Sequence, residues 1–290
     1  MHIFVTGATG WVGSAVVAEL VGVGHRVSGL VRSDDKAAAL AATGAAPVRG
    51  SLDDLDVLRE AAAGADAVIH TAFNHDFSKF AENAAQDRRA IEAMGAALKG
   101  TDKPLIVTGG LSGFPPGATE ADLPDPASIR QSEPAARALA ARGIRAATVR
   151  LAPSVHGLGD HGFVPMLIGI AREKGVSAYI GDGSNCWAGV HRLDAARLYR
   201  LALDAGLPEP VYHAVADEGV PFRDIAELIG RRLGVPASSR DRAHFGWFAS
   251  MAAADMAASS LHTRKLVGWT PTGPGLLADI DQPGYFSGPA

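Results

Sequence analysis

The stretch TGATGWVG, from Thr6 to Gly13, places glycines at positions 7, 10 and 13. Between a strand and a helix, that spacing can cradle a pyrophosphate. Gly7 allows the tight turn, Gly10 lets the backbone approach the anion, and Gly13 permits close packing of helix on strand. The free N–H groups at the helix start then face the phosphates. Thr9, Trp11 and Val12 join the three glycines as expected cofactor contacts. About 20 residues past such a loop, a carboxylate selects NAD and an arginine accommodates the 2′-phosphate of NADP. Arg32 holds that place with Ser33 beside it, which points to NADP. Asp34 and Asp35 follow, keeping NAD as the alternative while also suiting a helix N-terminus.

A second set of residues could move protons. His70, His75, His156 and His161 all fall near the ends of strand-like runs, and imidazole is a capable acid near neutral pH. His70 lies inside a run and reads as packed. His75 stands between Asn74 and Asp76, which offer groups to orient its ring. No H-x-x-x-H pair appears, so no metal site is expected.

These residues need a scaffold, and the chain supplies one. The runs HIFVTG, HRVSGLV, APVRG, DAVIHTAF, PLIVTGG and IRAATVRLA alternate with helical segments near residues 11–23, 34–43, 54–63, 78–99 and 128–142. This rhythm implies an α/β fold, a Rossmann-like doubly wound parallel sheet with right-handed crossovers. After residue 150 glycine, proline and histidine cluster. Helices are expected near 163–174, 193–205 and 221–233, with strands near SAYIG and PVYHAV. The expected organisation is a nucleotide-binding domain over 1–155 and a smaller, interleaved substrate-binding region over 156–290.

Composition narrows the function classes. The 290 residues are 47% hydrophobic, enough for a sizeable core, and carry a net charge of −4 without a basic block. Nucleic-acid and membrane-surface partners therefore have no electrostatic footprint, and no apolar run is long enough to span a bilayer. The single Cys186 fits a reducing compartment and reads as an incidental thiol. A soluble cytoplasmic protein with a small-molecule substrate is expected.

TGATGWVG, GSLDD, DAVIHTAF, PLIVTGG, PSVHG and VHRLDAARLY occur in an order that resembles the extended or atypical short-chain dehydrogenase/reductases, of the NAD-dependent epimerase/dehydratase type. The resemblance runs through most of the chain. It implies that Ala72 and Phe73 lie along the cofactor and that Pro153, Ser154 and Val155 approach the nicotinamide. It also implies an adenine contact at Ser51, Leu52 or Asp53, although Asp53 equally suits a helix cap. In VHRLDAARLY, Asp194 reads as the cap of the following helix. Homodimers in this family often form through the helices corresponding to 78–99 and 128–142.

One expected feature is missing. Redox members of the family usually carry Tyr, then Lys four residues on, so that both share one helical face. In SIRQSEPAARALAARG those places fall at Ile129 and Glu133. The chain has no tyrosine before Tyr179 and no lysine between Lys103 and Lys174. The family's serine/threonine run is also altered, leaving Thr108 and Ser112 as the nearest hydroxyls. Thr108 is grouped with the cofactor contacts, while Ser112 would hold the substrate oxygen. His75, or His156 beside PSV, would donate the proton. Phe73, Phe77, Phe163, Trp187, Phe245 and Trp247 are candidate pocket walls. Two readings follow: an NADP-dependent reductase of a small, fairly apolar carbonyl or unsaturated compound, or a cofactor-binding sensor that has lost the chemistry.

Overall fold

Runs of β-branched and apolar residues are expected to form strands buried on both faces; those inside the large sheet are, while Ala46–Arg49 at its edge is mostly exposed. The computed structural model describes residues 1–287. The first six strands are β1 (His2–Thr6), β2 (Arg26–Val31), β3 (Ala46–Arg49), β4 (Ala67–His70), β5 (Leu105–Gly110) and β6 (Ala146–Leu151). After β7 (Ser154–His156), β8 (Ser177–Tyr179) and β9 (Cys186–His191), the chain returns to the large sheet as β10 (Val211–Ala214). The order is β10-β6-β5-β4-β1-β2-β3, and every pairing is parallel. The direction of winding reverses between β1 and β4, and a ligand crevice is expected at such a switch point.

Helices cover both faces. α1 (Trp11–Gly22) and α2 (Asp34–Ala41) pack on one side, together with α7 (Arg192–Asp204). α3 (Leu55–Gly64), α4 (Phe80–Ala97) and α5 (Ser132–Ala140) pack on the other. Leu20, Leu58, Ile69 and Ile106 are fully buried in these layers, each contributing about 1.5–3 kcal/mol. None of the described helices is long and apolar enough to cross a membrane.

α6 (Phe163–Lys174) and α8 (Phe222–Leu233) enclose a third core with Trp187, Phe245 and Phe248. β7 and β9 form a small sheet with β11 (Asp217–Pro221). β8 pairs with β12 (Ala237–Ser239).

Two expected helices begin later than their sequence suggests. Asp76 accepts a hydrogen bond from Ser78 N, so residues 77–79 form a tight turn before α4. Asp125 accepts from Ala127 N and Ser128 N, and with Pro124 and Pro126 it holds the chain off helix until Ser132. Ile129 and Arg130 thus lie on a loop rather than on the expected helical face. Asp194 also differs from expectation. His191 occupies the cap position, while Asp194 is buried in the first turn and accepts from Thr272 N and Gly273 N. It anchors the segment after Trp269 instead of capping its helix.

Candidate cofactor and substrate site

Each glycine of the loop has a steric reason. Gly7 sits at φ +68°, and a Cβ there would lie 2.7 Å from Ala72 N. A Cβ on Gly13 would lie 2.1 Å from the Gly7 carbonyl oxygen. Gly10 donates its N–H to that same oxygen at 2.8 Å and caps α1, whose first turn holds no acidic residue. The cradle therefore presents N–H groups and a positive helix end with nothing negative against them, which fits a dinucleotide pyrophosphate. Trp11 ties the loop to the PSV segment: its Nε1 donates to Val155 O at 2.7 Å. Arg192 stacks over the indole at 4.3 Å, and His161 meets its edge. Ser154, next in line, is buried, and its hydroxyl has no partner among the described residues.

Arg32 and Ser33 follow β2 and are exposed. Ser33 caps α2 by accepting from Lys36 N, and Asp34 turns away to Arg49 at 3.2 Å. Arg32 has no ion-pair partner among the described residues. Arg32→Asp is expected to weaken NADPH binding by roughly ten- to a hundredfold and NADH binding far less. Fluorescence titration with both cofactors checks this, and equal losses would defeat the assignment.

The expected adenine contacts, Ser51, Leu52 and Asp53, are arranged more locally. Ser51 donates through N and Oγ to Asp54 at 2.7 and 2.8 Å. Asp53 accepts from Gln86 at 2.6 Å, so it braces α4, and Asp54 takes the position before α3. Leu52 leans on the core beneath α3. Thr108 Oγ1 donates to His70 O at 2.8 Å and lies 2.7 Å from the Tyr199 hydroxyl, so its side chain is occupied inside the sheet. Burial pushes the Tyr199 phenol well above its ordinary pKa, although the Thr108 bond opposes this. Tyr199 is fully buried, and its hydroxyl donates to Thr108 Oγ1.

The four histidines separate. His70 is buried in β4 and bonds Thr6 and Asp87, as a packed residue should. His156, a candidate proton donor by sequence, lies in β7, fully buried, with Nδ1 2.9 Å from Asp279. Asp279 also accepts from the Tyr285 hydroxyl at 2.7 Å. His156 thus faces the C-terminal core and does not join His75. His161 stays exposed against Trp11.

His75 lies on the segment after β4, at 5.3 Å from the Phe73 ring and 6.2 Å from Phe77, with one side open. Crowding by the surrounding protein lowers its pKa first, with the Arg130 charge adding to the effect. The expected orienting groups are engaged elsewhere: Asn74 accepts from Asp76 N, and Asp76 from Ser78. Phe77 stands 5.7 Å from Trp247 and 6.5 Å from Phe163, completing an aromatic cluster. Trp247 is 66% exposed, so the cluster borders solvent. Ser112 lies on the loop after β5 with its hydroxyl 3.9 Å from Met251 Sδ. Trp187 and Phe245, by contrast, are core residues. Cys186 is a half-buried thiol whose pKa burial raises, consistent with the incidental reading.

Where the family lysine would stand, Glu133 is buried and bound by Arg150. Nε to Oε2 and Nη2 to Oε1 are both 2.7 Å. Burial pushes the Glu133 carboxyl up, but hydrogen bonds and charge from Arg150, then Arg137, more than offset it and leave the pKa low. Arg130 is the cation beside the aromatic cluster. Its guanidinium lies 4.0 Å over Phe73, with Nε donating to Ser132 Oγ at 3.0 Å and Nη2 to Thr108 O at 3.3 Å. No sequence signal marked Arg130, Asp87 or Asp279, because their roles depend on partners distant along the chain.

A sheet wound about the β1–β4 switch point, with a glycine cradle after β1, defines a dinucleotide-binding protein. Residues 7–152 match the NAD(P)H-binding family model. The chain belongs to that family, as an atypical extended short-chain dehydrogenase/reductase and an NAD(P)-dependent oxidoreductase. An uncharacterized protein of Schizosaccharomyces pombe is 48% identical over 99% of this chain and 100% of its own length. The 2-alkyl-3-oxoalkanoate reductase of Stenotrophomonas maltophilia is 31% identical over 81% of this chain and 77% of its own. In fold, the dTDP-glucose 4,6-dehydratase of Streptomyces venezuelae, solved with NAD bound, superposes with a TM-score of 0.76. It shares 18% identity and covers 97% of this chain and 96% of its own.

Proposed function

We propose that the chain is a cytoplasmic NADP-dependent reductase of a small, fairly apolar carbonyl or related unsaturated compound, using a proton donor other than tyrosine. The observation that carries this reading is the aromatic cluster of Phe73, Phe77 and Trp247, with His75 packed against it and Ser112 on a loop that reaches Met251. The likeness to a relative named for reducing a 3-oxoalkanoate supports it. NADPH, when bound, supplies the hydride that reduces the carbonyl carbon. The glycine cradle and Trp11–Val155 contact orient the dinucleotide, and the aromatic rings pack against the substrate's apolar part. Ser112 donates a hydrogen bond to the carbonyl oxygen, and His75 delivers the proton to it, recovering another through its open side. Exposed Ala81 and Ala85 on α4 belong to the surface through which a homodimer would form.

The test is NADPH fluorescence titration, followed by NADPH consumption with a panel of small ketones and enones. Cofactor binding with no turnover across the panel would transfer the chain to the sensor reading.

His75 adds a pH prediction. Its folded pKa lies below the ordinary histidine value of 6.5. The protonated donor is therefore present below that lowered value and lost as pH rises through it. kcat/KM should rise on acidification to a plateau reached only below pH 6.5. His75→Gln should flatten this limb and lower the plateau by about a hundredfold. An unchanged pH profile in the variant would remove His75 from the proposal.

A further inference from the structure

A chain of buried polar groups ends at the aromatic cluster. Thr6 Oγ1 lies 2.7 Å from His70 Nδ1, and His70 Nε2 lies 2.9 Å from Asp87 Oδ1. Ser132 Oγ donates to Asp87 Oδ2 at 2.5 Å and accepts from Arg130 Nε at 3.0 Å. With Thr6 donating to Nδ1, the histidine proton sits on Nε2, and Asp87 accepts from both sides as a carboxylate. Every hydrogen bond in the chain is then satisfied. Its end is a guanidinium fixed in place by Ser132, the Thr108 carbonyl and the Phe73 ring.

The guanidinium itself has unused capacity. Two of its five N–H groups are taken by those bonds, and no carboxylate pairs with it directly among the described residues. Asp87 balances its charge only through the Ser132 hydroxyl. Arg150, Arg197 and Arg200, by contrast, pair directly with Glu133, Asp194 and Glu19. A preorganised guanidinium with spare donors on an aromatic wall is a receptor for a planar anion, and a carboxylate matches its fork geometry.

We propose that Arg130 anchors the substrate and that the substrate is a carbonyl compound bearing a carboxylate beside an aromatic or extended apolar body. This rests on the reductase reading and names its substrate class. The apolar body lies along Phe73, Phe77 and Trp247, and the carboxylate takes the free edge of Arg130. The anchored molecule presents its carbonyl toward Ser112 and His75. Arg130 is thus the specificity-determining residue, and Ser132, Asp87 and His70 position it.

Calorimetry on the full chain saturated with NADP tests this with 4-phenylbutanoate and 4-phenylbutanamide, which differ in charge but not in shape. The wild type should bind the acid roughly ten- to a hundredfold more tightly than the amide. Arg130→Gln should bring acid and amide to equal affinity, and Arg130→Lys should retain part of the preference. Equal binding of acid and amide by the wild type, or no binding of the acid at millimolar concentration, would overturn the proposal. So would an Arg130→Gln variant that loses NADP affinity while keeping its preference for the acid, since Arg130 would then serve the cofactor. Binding heat requires no turnover. A carboxylate-selective site that reduces no carbonyl compound would defeat the reductase reading alone. Reduction of neutral ketones without selectivity for acids would defeat only the anchoring role.

Discussion

Replacing Arg150 with methionine is expected to destabilise the protein by about 3–5 kcal/mol, one of the largest losses available from a single substitution. Arg150 is completely buried on β6 and makes two bonds to Glu133. It also donates to Thr119 O and Asp122 O, stacks on Phe114 at 4.1 Å and reaches His213. Methionine fills much of the volume but leaves Glu133 as an interior carboxylate with only the partly exposed Arg137 beside it. Thermal unfolding should show a fall of at least ~6 °C. The pH dependence supplies the sign. In the wild type the folded pKa of Glu133 lies below 4.5, so its contribution is present above that value and fades as pH falls through the folded pKa. In Arg150→Met burial acts with less opposition and raises the folded pKa, so the penalty should shrink on acidification. The double variant Arg150→Met, Glu133→Leu should recover much of the loss. A Tm unchanged within 2 °C of wild type would show that the pair is not a keystone.

Gly13→Ala is expected to lower NADPH affinity by about a hundredfold or more. The new methyl would stand 2.1 Å from Gly7 O and 2.6 Å from Thr71 Oγ1. Both belong to tightly held segments: Gly7 O accepts from Gly10, and Thr71 donates to Thr6 O. The loop must open, which moves the N–H groups off the pyrophosphate. Gly169→Ala is the control. Gly169 is exposed within α6 with nothing within 4 Å of the added Cβ, so alanine should stabilise by about 0.5–1 kcal/mol and leave binding untouched. Titration of NADPH fluorescence with both variants reads the contrast. Wild-type affinity in Gly13→Ala would place the pyrophosphate elsewhere.

The two substitutions differ in how far the sequence anticipates them. Gly13 belongs to a local pattern, because a turn, a helix start and a strand end lie within one short segment and impose their backbone demands there. Arg150 carries no such mark. It reads as one residue of an apolar strand, and nothing along the chain connects it to Glu133.

The same division runs through the protein. Sequence alone determined the parallel sheet, its flanking helices, the phosphate cradle and the loss of the Tyr–Lys pair. Each follows from periodicity, turn chemistry or residue identity within a short window. Only the tertiary structure separated the histidines, holding His156 against Asp279 in the core and leaving His75 at the aromatic cluster. It also shortened α5, so that Arg130 lies on a loop over Phe73 and the Glu133 carboxylate is sealed inside. Those outcomes depend on which residues from distant segments share a low-dielectric interior. A charge or hydroxyl buried there must find a partner, and the fold alone decides which partners are within reach.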